Sequence, residues 1–403
     1  MEKTAFFAQA RRDLKGPLEG FTVIEATTTW AGPMAGCLLA DFGARVIKVE
    51  HPAGEVLRRV PPAYEDSALA LFHETVNRNK QNVSLNLRHP EGRRLFLELC
   101  AGADCVIENF KPGTLSAWGV GYADVAAVKP SIVYVSISGF GQFGPLSDRP
   151  GYDPIAQNFS GWASLNGTPD DGPTKAPTFL GDDLGGLHGA LGALAALLHA
   201  QRTGEGQHVD IALTDALVFQ SNGLLAAGAL GMPLKRWANQ FAIAAPVNRY
   251  TCTDGDIYGG VLLDSHWQQL AKIIGREDLA DARGPQRIAR REEFDQLVAA
   301  WCGVHTTAEV VTRWNAAGLA VTRVNSFAEA AREPQLLERD MLQNTTLSDG
   351  KTVPLVGPAA KFSRTPTRIR HAAPALGQDN AEILGGLGVD AQTLAQLKAD
   401  GAV

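Results

Sequence analysis

The first half of the sequence alternates between short runs typical of buried β-strands and longer runs typical of helices. Strand-like runs lie at 21–25 (FTVIE), 45–50 (RVIKVE), 82–87, 104–110 and 131–141, and helix-like runs lie between the first two of these, at 90–102 and at 122–130. Such alternation is typical of a parallel sheet whose right-handed crossover helices cover both faces. An α/β domain of the Rossmann-like, doubly wound class is therefore expected, with ligands at the carboxyl ends of its strands.

The chain has 403 residues, which is too long for one simple hydrophobic core, so two domains are expected. The first part of the large α/β domain is assigned to 1–235. A hairpin signal at 249–263, with an Asp-Gly pair at its turn, precedes three helix-like runs. These features predict a smaller α+β domain at 245–330.

Charge and composition exclude several classes of partner. The net charge is −6 and there is no long basic run, which disfavours binding to nucleic acid or to an anionic membrane. No apolar run reaches the ~18–20 residues of a spanning helix, and the N-terminus has no signal-peptide core. The five cysteines form neither a CxxC pair nor a zinc spacing. We therefore expect a cytoplasmic protein with reduced thiols and no metal site.

The stretch 181–200, GDDLGGLHGALGALAALLHA, contains no β-branched residue and is typical of a buried helix. Asp182 and Asp183 are expected just before that helix, at the positive end of its dipole. Gly185 and Gly186 would let a ligand approach the backbone. A carboxylate beside such donors suits an acyl-transfer nucleophile, but the same pattern fits a simple helix cap, which is the commoner feature.

A dinucleotide site is disfavoured. The expected GxGxxG is absent after the first strand, because Gly32 and Gly36 give only GxxxG and Pro33 removes an N–H that a pyrophosphate would use. Glu50 follows at about the distance of a ribose-binding carboxylate, but the same residue could end a strand in solvent.

Six segments together resemble the class III CoA-transferases, a group that includes formyl-CoA transferase, carnitine CoA-transferase and the related α-methylacyl-CoA racemases. They lie at 18–52 (with WAGPMAGCLLADFGARVIKVEHP), 77–87 (NRNKQNVSLNL), 104–119, 133–157, 181–213 and 376–384 (LGQDNAEIL). Their order and spacing make the resemblance specific, and it covers essentially the whole chain. It implies a large domain built from both chain ends, to which 335–403 returns, and an interlocked dimer in which each protomer threads the other. A homodimer is favoured and a heteromer stays open.

In the transferases the nucleophile is an aspartate of the motif that reads GDDLGGLH here, so the resemblance places this role on Asp182. The carboxylate would attack the donor thioester to give a mixed anhydride and CoA thiolate. The thiolate would return to form an aspartyl-CoA thioester, and an acceptor carboxylate would reverse these steps. The CoA thioester is then a substrate, and no permanently bound cofactor is expected.

The resemblance also suggests which residues bind the substrates. Trp30, Ala31 and Gly32 match a loop that lines the thioester pocket, Asn109 matches a residue near CoA, and Tyr152 is either an acyl-group contact or a packed aromatic. His51, Arg58 and Arg59 fall near the CoA phosphates, although the two arginines could equally be a solvated pair. The family often has a basic residue where Ala117 and Trp118 stand, and Lys80 with Arg78 is the expected compensation.

Two departures favour a transferase over a racemase. The racemase histidine of a GHD-like motif is replaced in Gly151-Tyr152-Asp153, and tyrosine, with a pKa of about 10, is a poor two-way proton carrier. The turn at 262–270 also lacks the racemase glutamate. The alternatives are an acyl-CoA racemase or isomerase with Asp182 as its base, and a non-catalytic CoA-binding subunit. Because 241–250 lacks the tetraglycine loop of formyl-CoA transferase, the acceptor is expected to be a dicarboxylic, aromatic or branched acid.

Overall fold

The computed structural model describes residues 1–62 and 69–403, which fall into two units. The large unit comprises Met1–Ala163, Lys175–Gly231 and Pro334–Val403, and the small unit comprises Ser164–Thr174 and Met232–Glu333. Each unit has a hydrophobic core of its own.

The large unit is built on a parallel sheet of six strands. They are β1 (Thr22–Ala26), β2 (Arg45–Glu50), β3 (Gln81–Ser84), β4 (Cys105–Glu108), β5 (Val133–Ser138) and β6 (Gln207–Ala212). Their spatial order is β3-β2-β1-β4-β5-β6, and every neighbouring pair is parallel. The strand order reverses between β1 and β4, where a doubly wound sheet opens a crevice for ligands. The predicted α/β class is confirmed.

Helices cover both faces of this sheet. In the large unit they are α1 (Lys3–Phe6), α2 (Ala31–Asp41), α3 (Leu71–Asn77), α4 (Pro90–Ala101), α5 (Thr114–Ala117), α6 (Tyr122–Val128), α7 (Asp153–Phe159), α8 (Trp162–Leu165, at the boundary), α9 (Leu180–Thr203), α10 (Leu213–Phe219), α11 (Leu224–Ala229) and, near the C-terminus, Pro334–Glu338, Asn380–Gly385 and Ala391–Ala399. Successive strand residues face opposite sides, so Val23 and Ile24 lie in different apolar clusters. The buried apolar side chains of the strands are thereby divided between two cores.

Helix α9 begins earlier than the sequence predicts. Its first residue is Leu180, so Asp182 lies in the first turn and not before the helix. The N-cap residue, Phe179, offers no capping side chain. The backbone N–H of Gly181 is bound instead by Asp153, 28 residues earlier, which supplies the acceptor that the sequence analysis assigned to the aspartate pair.

The small unit has an antiparallel sheet in the order β7 (Val247–Cys252), β8 (Gly255–Gly260), β9 (Ala320–Arg323). The predicted hairpin is present, with Cys252 opposite Gly255. Helices α12 (Asp264–Ile273), α13 (Gly284–Ala289), α14 (Arg291–Cys302), α15 (Thr307–Ala316) and α16 (Phe327–Ala330) complete this unit. Its core is centred on fully buried aromatic residues, Trp267, Phe294 and Trp314.

The C-terminal segment adds a hairpin, three helices and a contact with β3 to the large unit. Helix α17 (Pro334–Glu338) comes first, a hairpin of β10 (Leu342–Thr346) with β11 (Thr352–Val356) follows, and helices α18 (Asn380–Gly385) and α19 (Ala391–Ala399) come after it. Asn380 accepts a hydrogen bond from the N–H of Ser84, the last residue of β3. Strand β3 ends sooner than the run 82–87 predicts. Among the described helices, none combines the length and apolar character needed to span a bilayer.

Candidate active site

A cavity of about 480 Å³ opens at the carboxyl ends of β1, β4 and β5 in the large unit. Its walls are apolar and aromatic for the most part, with two carboxylates; the lining residues are Thr29, Trp30, Ala31, Val56, Leu57, Val60, Asn109, Ile137, Ser138, Gly139, Gly151, Tyr152, Asp153, Pro154, Phe179, Asp182 and Leu213. The cavity thus lies at the switch point of the sheet, and Asp182 lies in its wall.

Three carboxylates converge at the start of α9. Asp153 accepts hydrogen bonds from the N–H of Gly181 at 2.7 Å and from Gln157 Nε2, and Asp183 accepts one from Trp30 Nε1 at 2.7 Å. Asp182 accepts no hydrogen bond from the described residues. Burial, and then the charges of Asp153 and Asp183, raise the pKa of Asp182 to about 7. Asp182 is therefore the carboxylate whose lone pairs stay available to a ligand.

Asp153 is the residue of this group that sequence reasoning missed. It stands in the Gly151-Tyr152-Asp153 motif, which was compared with a racemase motif but given no role. Its burial, at 2% exposure, and its bond to the first turn of α9 follow from a contact between distant segments. Neighbouring Tyr152 lines the cavity and is 64% exposed.

The loop between β1 and α2 forms another wall. Trp30 packs edge-on against Phe72 and Phe179, with ring centroids 5.6 and 5.2 Å apart. The side chain of Asn109 accepts a hydrogen bond from the N–H of Thr28 at 2.9 Å and donates one to its carbonyl at 2.8 Å. Asn109 thus lines the cavity and also fixes the loop beside it.

The predicted role of the glycines needs correction. An added Cβ on Gly186 would lie 2.8 Å from the carbonyl oxygen of Ala31, and one on Gly185 would overlap Leu213. At Gly32 it would lie 2.8 Å from the side chain of Asn109. These glycines permit close packing between protein segments, and Gly185 and Gly186 do so in place of the predicted approach of a ligand to the backbone.

The basic residues predicted to bind CoA phosphates separate into different environments. Arg58 pairs with Glu50 at 2.6 and 2.9 Å and donates to the carbonyl of Pro374. Burial opposes ionisation of Glu50, but the Arg58 hydrogen bonds and Lys48 lower its pKa to about 2. Arg59 is exposed and donates to the carbonyl of Ala53. Arg58 is thus largely committed to the fold, whereas Arg59 faces solvent.

Lys80 has a structural role in place of the predicted phosphate contact. Its side chain is fully buried, and its ammonium lies 2.6 Å from Glu25 Oε2, 2.9 Å from the carbonyl of Pro33 and 3.0 Å from Asn77 Oδ1. The ammonium of Lys80 is thus held by one ion pair and two hydrogen bonds within the fold. Arg78 is likewise buried and pairs with Asp41 at 2.6 Å. Neither residue is placed to compensate for the missing basic group after Asn109.

A second cavity, of about 300 Å³, lies at the carboxyl ends of β1, β2 and β3 and includes His51. Its other walls are Ala26, Val49, Leu85, Asn86, Leu87, Arg88, Phe110 and Trp118. The guanidinium of Arg88 lies 4.8 Å from the centre of the Trp118 ring, a distance typical of a cation–π contact. Sequence reasoning missed Arg88, although its position just after a strand run places it at the ligand-binding edge of the sheet.

One group of side chains has the spacing of a metal site. Ligand atoms of Glu50, Glu55 and His73 lie within 4.8 Å of one another. However, Glu50 is paired with Arg58, and Glu55 lies 3.1 Å from the ammonium of Lys48. Since cations of the protein already neutralise both carboxylates, we interpret this cluster as a buried ion-pair network.

Comparisons with known proteins agree with this architecture. The family model for CoA-transferase family III matches residues 18–380. The beta subunit of succinyl-CoA–L-malate CoA-transferase from Chloroflexus aurantiacus is 37% identical over 91% of this chain and 93% of its own length. Succinate–glutarate CoA-transferase from Agrobacterium fabrum is 35% identical over 92% of this chain and 95% of its own length.

A solved structure shows the same fold. The CAIB/BAIF family protein from Brucella suis superposes with a TM-score of 0.83 and 31% identity, covering 93% of this chain and all of that one. The match of the family model and these relatives lead to one assignment. The chain belongs to CoA-transferase family III.

Proposed function

We propose that this protein transfers CoA from an acyl-CoA donor to a carboxylic acid through an aspartyl-CoA thioester on Asp182. The observation behind the proposal is the position of Asp182, a carboxylate in the cavity wall at the switch point that forms no hydrogen bond with the described residues. The relatives are named as CoA-transferases, which supports the reaction class.

The bonds that form and break in this reaction involve only this carboxylate, CoA and the two acids. The ionised Asp182 attacks the thioester carbonyl, and the carbon–sulfur bond breaks to release CoA thiolate. The thiolate then attacks the aspartyl carbonyl of the mixed anhydride and expels the donor acid as its carboxylate. The acceptor carboxylate repeats both steps in reverse order, so the thioester bond is conserved. The raised pKa of Asp182 makes its carboxylate more basic and therefore a better nucleophile.

Oxyanions form at the carbonyl carbon in these steps and need donors. Ala31 and Gly32 are the first residues of α2, and their N–H groups have no intrahelical acceptor. Helix N-termini stabilise negative charge. We assign these two residues, with Trp30 as the apolar wall, to the thioester carbonyl.

The CoA moiety is assigned to the second cavity. Its aromatic and apolar walls suit an adenine ring, and Arg88 with exposed His51 can bind phosphate oxygens. Phe110 in this cavity directly follows Asn109, which lines the Asp182 cavity, so the two cavities are linked along the chain at one edge of the sheet.

Succinyl-CoA is the donor we propose to test first. The names of the relatives couple succinyl-CoA to malate, citramalate, glutarate and mesaconate. The apolar wall of the Asp182 cavity, which includes Leu57, Ile137 and Leu213, can contact the methylene groups of such an acid. The acceptor is accordingly proposed to be dicarboxylic, aromatic or branched.

Mass spectrometry of the protein after incubation with succinyl-CoA tests this function. Wild type should gain a CoA-sized adduct on the peptide 181–188 that hydroxylamine removes, and Asp182→Ala should gain none. Asp183→Asn, altered at the adjacent carboxylate, should still form the adduct on the same peptide.

Other outcomes identify the alternatives. Entry of solvent deuterium at the α-carbon of the acyl group without an adduct would instead establish an isomerase with Asp182 as base. CoA binding with neither signal from a panel of acyl-CoA donors would establish a non-catalytic binding subunit.

A further inference from the structure

The loop that joins β1 to α2, Thr27–Trp30, is held by a separate side chain at each residue. Lys48 Nζ donates to the carbonyl of Thr27 at 3.1 Å, Asn109 binds both backbone groups of Thr28, and Trp30 donates to Asp183. The N–H of Thr29 donates to Glu55 Oε2 at 2.8 Å. The backbone is thus bound at Thr27, Thr28 and Thr29, and Trp30 is held through its indole ring.

Thr29 is the position where the backbone most needs such support. Its φ angle is 63°, in the left-handed region that L-residues avoid and that is especially unfavourable for a β-branched side chain. Its hydroxyl donates to the carbonyl of Thr28 at 2.6 Å, which is a contact within the loop itself. The bond from its N–H to Glu55 ties this conformation to the rest of the large unit. Strained residues persist only where surrounding contacts impose them.

Glu55 is well suited to impose that conformation because it is buried and bound on several sides. Its side chain is 3% exposed, and its Oε1 lies 3.1 Å from Lys48 Nζ and 3.4 Å from Asn77 Nδ2. Its own N–H donates to Glu50 at 2.7 Å. One oxygen of the carboxylate thus anchors it in the ion-pair network, and the other is directed to Thr29. Because an ionised acceptor forms a stronger hydrogen bond than a neutral one, the bond to Thr29 is of the charge-assisted kind.

We propose that Glu55 is a positioning residue for CoA transfer, which holds Thr29 in its left-handed conformation and thereby sets Thr29, Trp30 and the start of α2 against Asp182. This role rests on the proposed function. Glu55 does not line the cavity, whereas Thr29, Trp30 and Ala31 do. It acts through the loop, and its loss is expected to affect the chemical step more than the binding of CoA.

The first test separates chemistry from binding. Single-turnover formation of the Asp182 adduct, at saturating succinyl-CoA, should slow by about 10- to 100-fold in Glu55→Ala, while the affinity for free CoA stays within about twofold. Glu55→Gln keeps a carbonyl acceptor for Thr29 and should lose less than Glu55→Ala. The matched control is Glu74→Gln, which removes a carboxylate of the same network that is 2% exposed and bound to the N–H of Ala373. Its rate per folded molecule should match that of wild type.

The second test asks whether Glu55 acts through Thr29. Glycine adopts the left-handed conformation without steric cost, so the slowing caused by Glu55→Ala should be smaller in a Thr29→Gly background. Equal slowing in both backgrounds, or equal slowing in Glu74→Gln, would overturn the proposal.

Hydrogen exchange of the wild-type protein covers the case in which Glu55 variants fail to fold. The Thr29 amide should be protected, and exchange at the rate of an unprotected amide would overturn the proposal. If wild type forms no adduct, the proposed function fails and this role fails with it. If wild type forms the adduct and both Glu55 variants match its rate, only the role of Glu55 fails.

Discussion

Asp182 differs from its two acidic neighbours, Asp153 and Asp183, in its hydrogen bonding. Asp153 and Asp183 each accept a hydrogen bond that fixes a segment of the cavity wall, from Gly181 and Trp30 respectively. Asp182 lies beside both, partly buried, and accepts no hydrogen bond from the described residues, so its carboxylate is the least stabilised of the three. A destabilised carboxylate in a cavity is a candidate reactive group, because residues with strongly shifted pKa values cluster at functional sites.

The raised pKa predicts how the reaction depends on pH. Because the carboxylate is the nucleophile and its pKa is about 7, the rate of adduct formation at low succinyl-CoA concentration should rise with pH around a midpoint of about 7. Asp183→Asn removes a neighbouring negative charge while retaining an acceptor for Trp30, so it should lower that midpoint. A profile that is flat from pH 5 to 9, or an unchanged midpoint in the variant, would contradict the assignment. Rapid-quench mass spectrometry gives these rates.

The same residue should destabilise the folded protein at neutral pH. Its folded-state pKa of about 7 exceeds the ordinary value of 3.8, so the folded state binds more protons and stability falls as pH rises through that window. Asp182→Asn does not titrate and should raise the free energy of unfolding at pH 8 by on the order of 1–3 kcal/mol, with no gain below about pH 4. Urea unfolding at several pH values measures this difference. Asp390, whose pKa is lowered by its bonds to Thr393, should show the opposite pH trend when replaced by Asn.

At the scale of elements, the site depends on how closely α9 packs against α2. Helix α9 supplies Asp182, and α2 begins with Ala31 at the cavity wall. The two helices approach closely because Gly186 faces the carbonyl of Ala31 without a Cβ between them. Glycine weakens a helix by about 1 kcal/mol relative to alanine, a loss that the packing must offset.

Gly186→Ala tests this packing. The added methyl group would lie 2.8 Å from the carbonyl of Ala31 and 2.8 Å from Met34 Cβ, so the helices must separate. We expect a loss of about 1–3 kcal/mol in the free energy of unfolding, together with slower adduct formation. Gly385→Ala lies at the end of α18, where an added Cβ meets no heavy atom of another described segment within 4 Å; it should change stability by no more than about 1 kcal/mol and should leave the adduct rate unchanged. Equal effects of the two substitutions in urea unfolding would refute the close-packing argument.

At the scale of the whole molecule, the large unit leaves much apolar surface uncovered. Along α9, Leu187, Leu191 and Leu198 are 49%, 59% and 49% exposed, and Phe219 at the end of α10 is 75% exposed. The three leucines recur at a spacing that brings them near one face of the helix. Large exposed apolar patches mark interaction surfaces, which supports the proposed homodimer. Alpha and beta subunits among the relatives leave a heteromer as the alternative.

Light scattering during size-exclusion chromatography tests the assembly. The protein purified alone should elute with twice the 42.9 kDa of one chain. Leu191→Glu places a charge on the exposed face of α9 and should shift the mass toward the monomer, because burying that charge opposes association. Val128→Glu, on α6 and 45% exposed, is the control and should leave the mass unchanged. A wild-type monomer would refute the homodimer and favour a requirement for a second chain.

Particular residues show how much could be predicted. The strands of the sheet, the hairpin of the small unit and the long helix after Gly181 follow from local patterns of apolar residues, and the structure confirms them. The reassigned residues all depend on a distant partner: Lys80 on Glu25, and Gly186 on Ala31. The start of α9 differs from the prediction because the N–H of Gly181, in its first turn, is bound by Asp153 and not by the adjacent aspartates. The residue type alone does not show whether a lysine or a glycine contacts a ligand or a neighbouring helix.

The sequence by itself determined the order of strands and helices, the doubly wound class and the family, because apolar periodicity and motif spacing are properties of the chain. Only the tertiary structure decided which charged groups are available. It buried Lys80 and Arg78 in ion pairs, committed Arg58 to Glu50, brought Arg88 into a cavity with His51, and gave Asp182 no hydrogen-bond donor among the described residues. The physical reason is that the reactivity of an ionisable group depends on its desolvation and on its partners, and both are set by segments far apart in the chain.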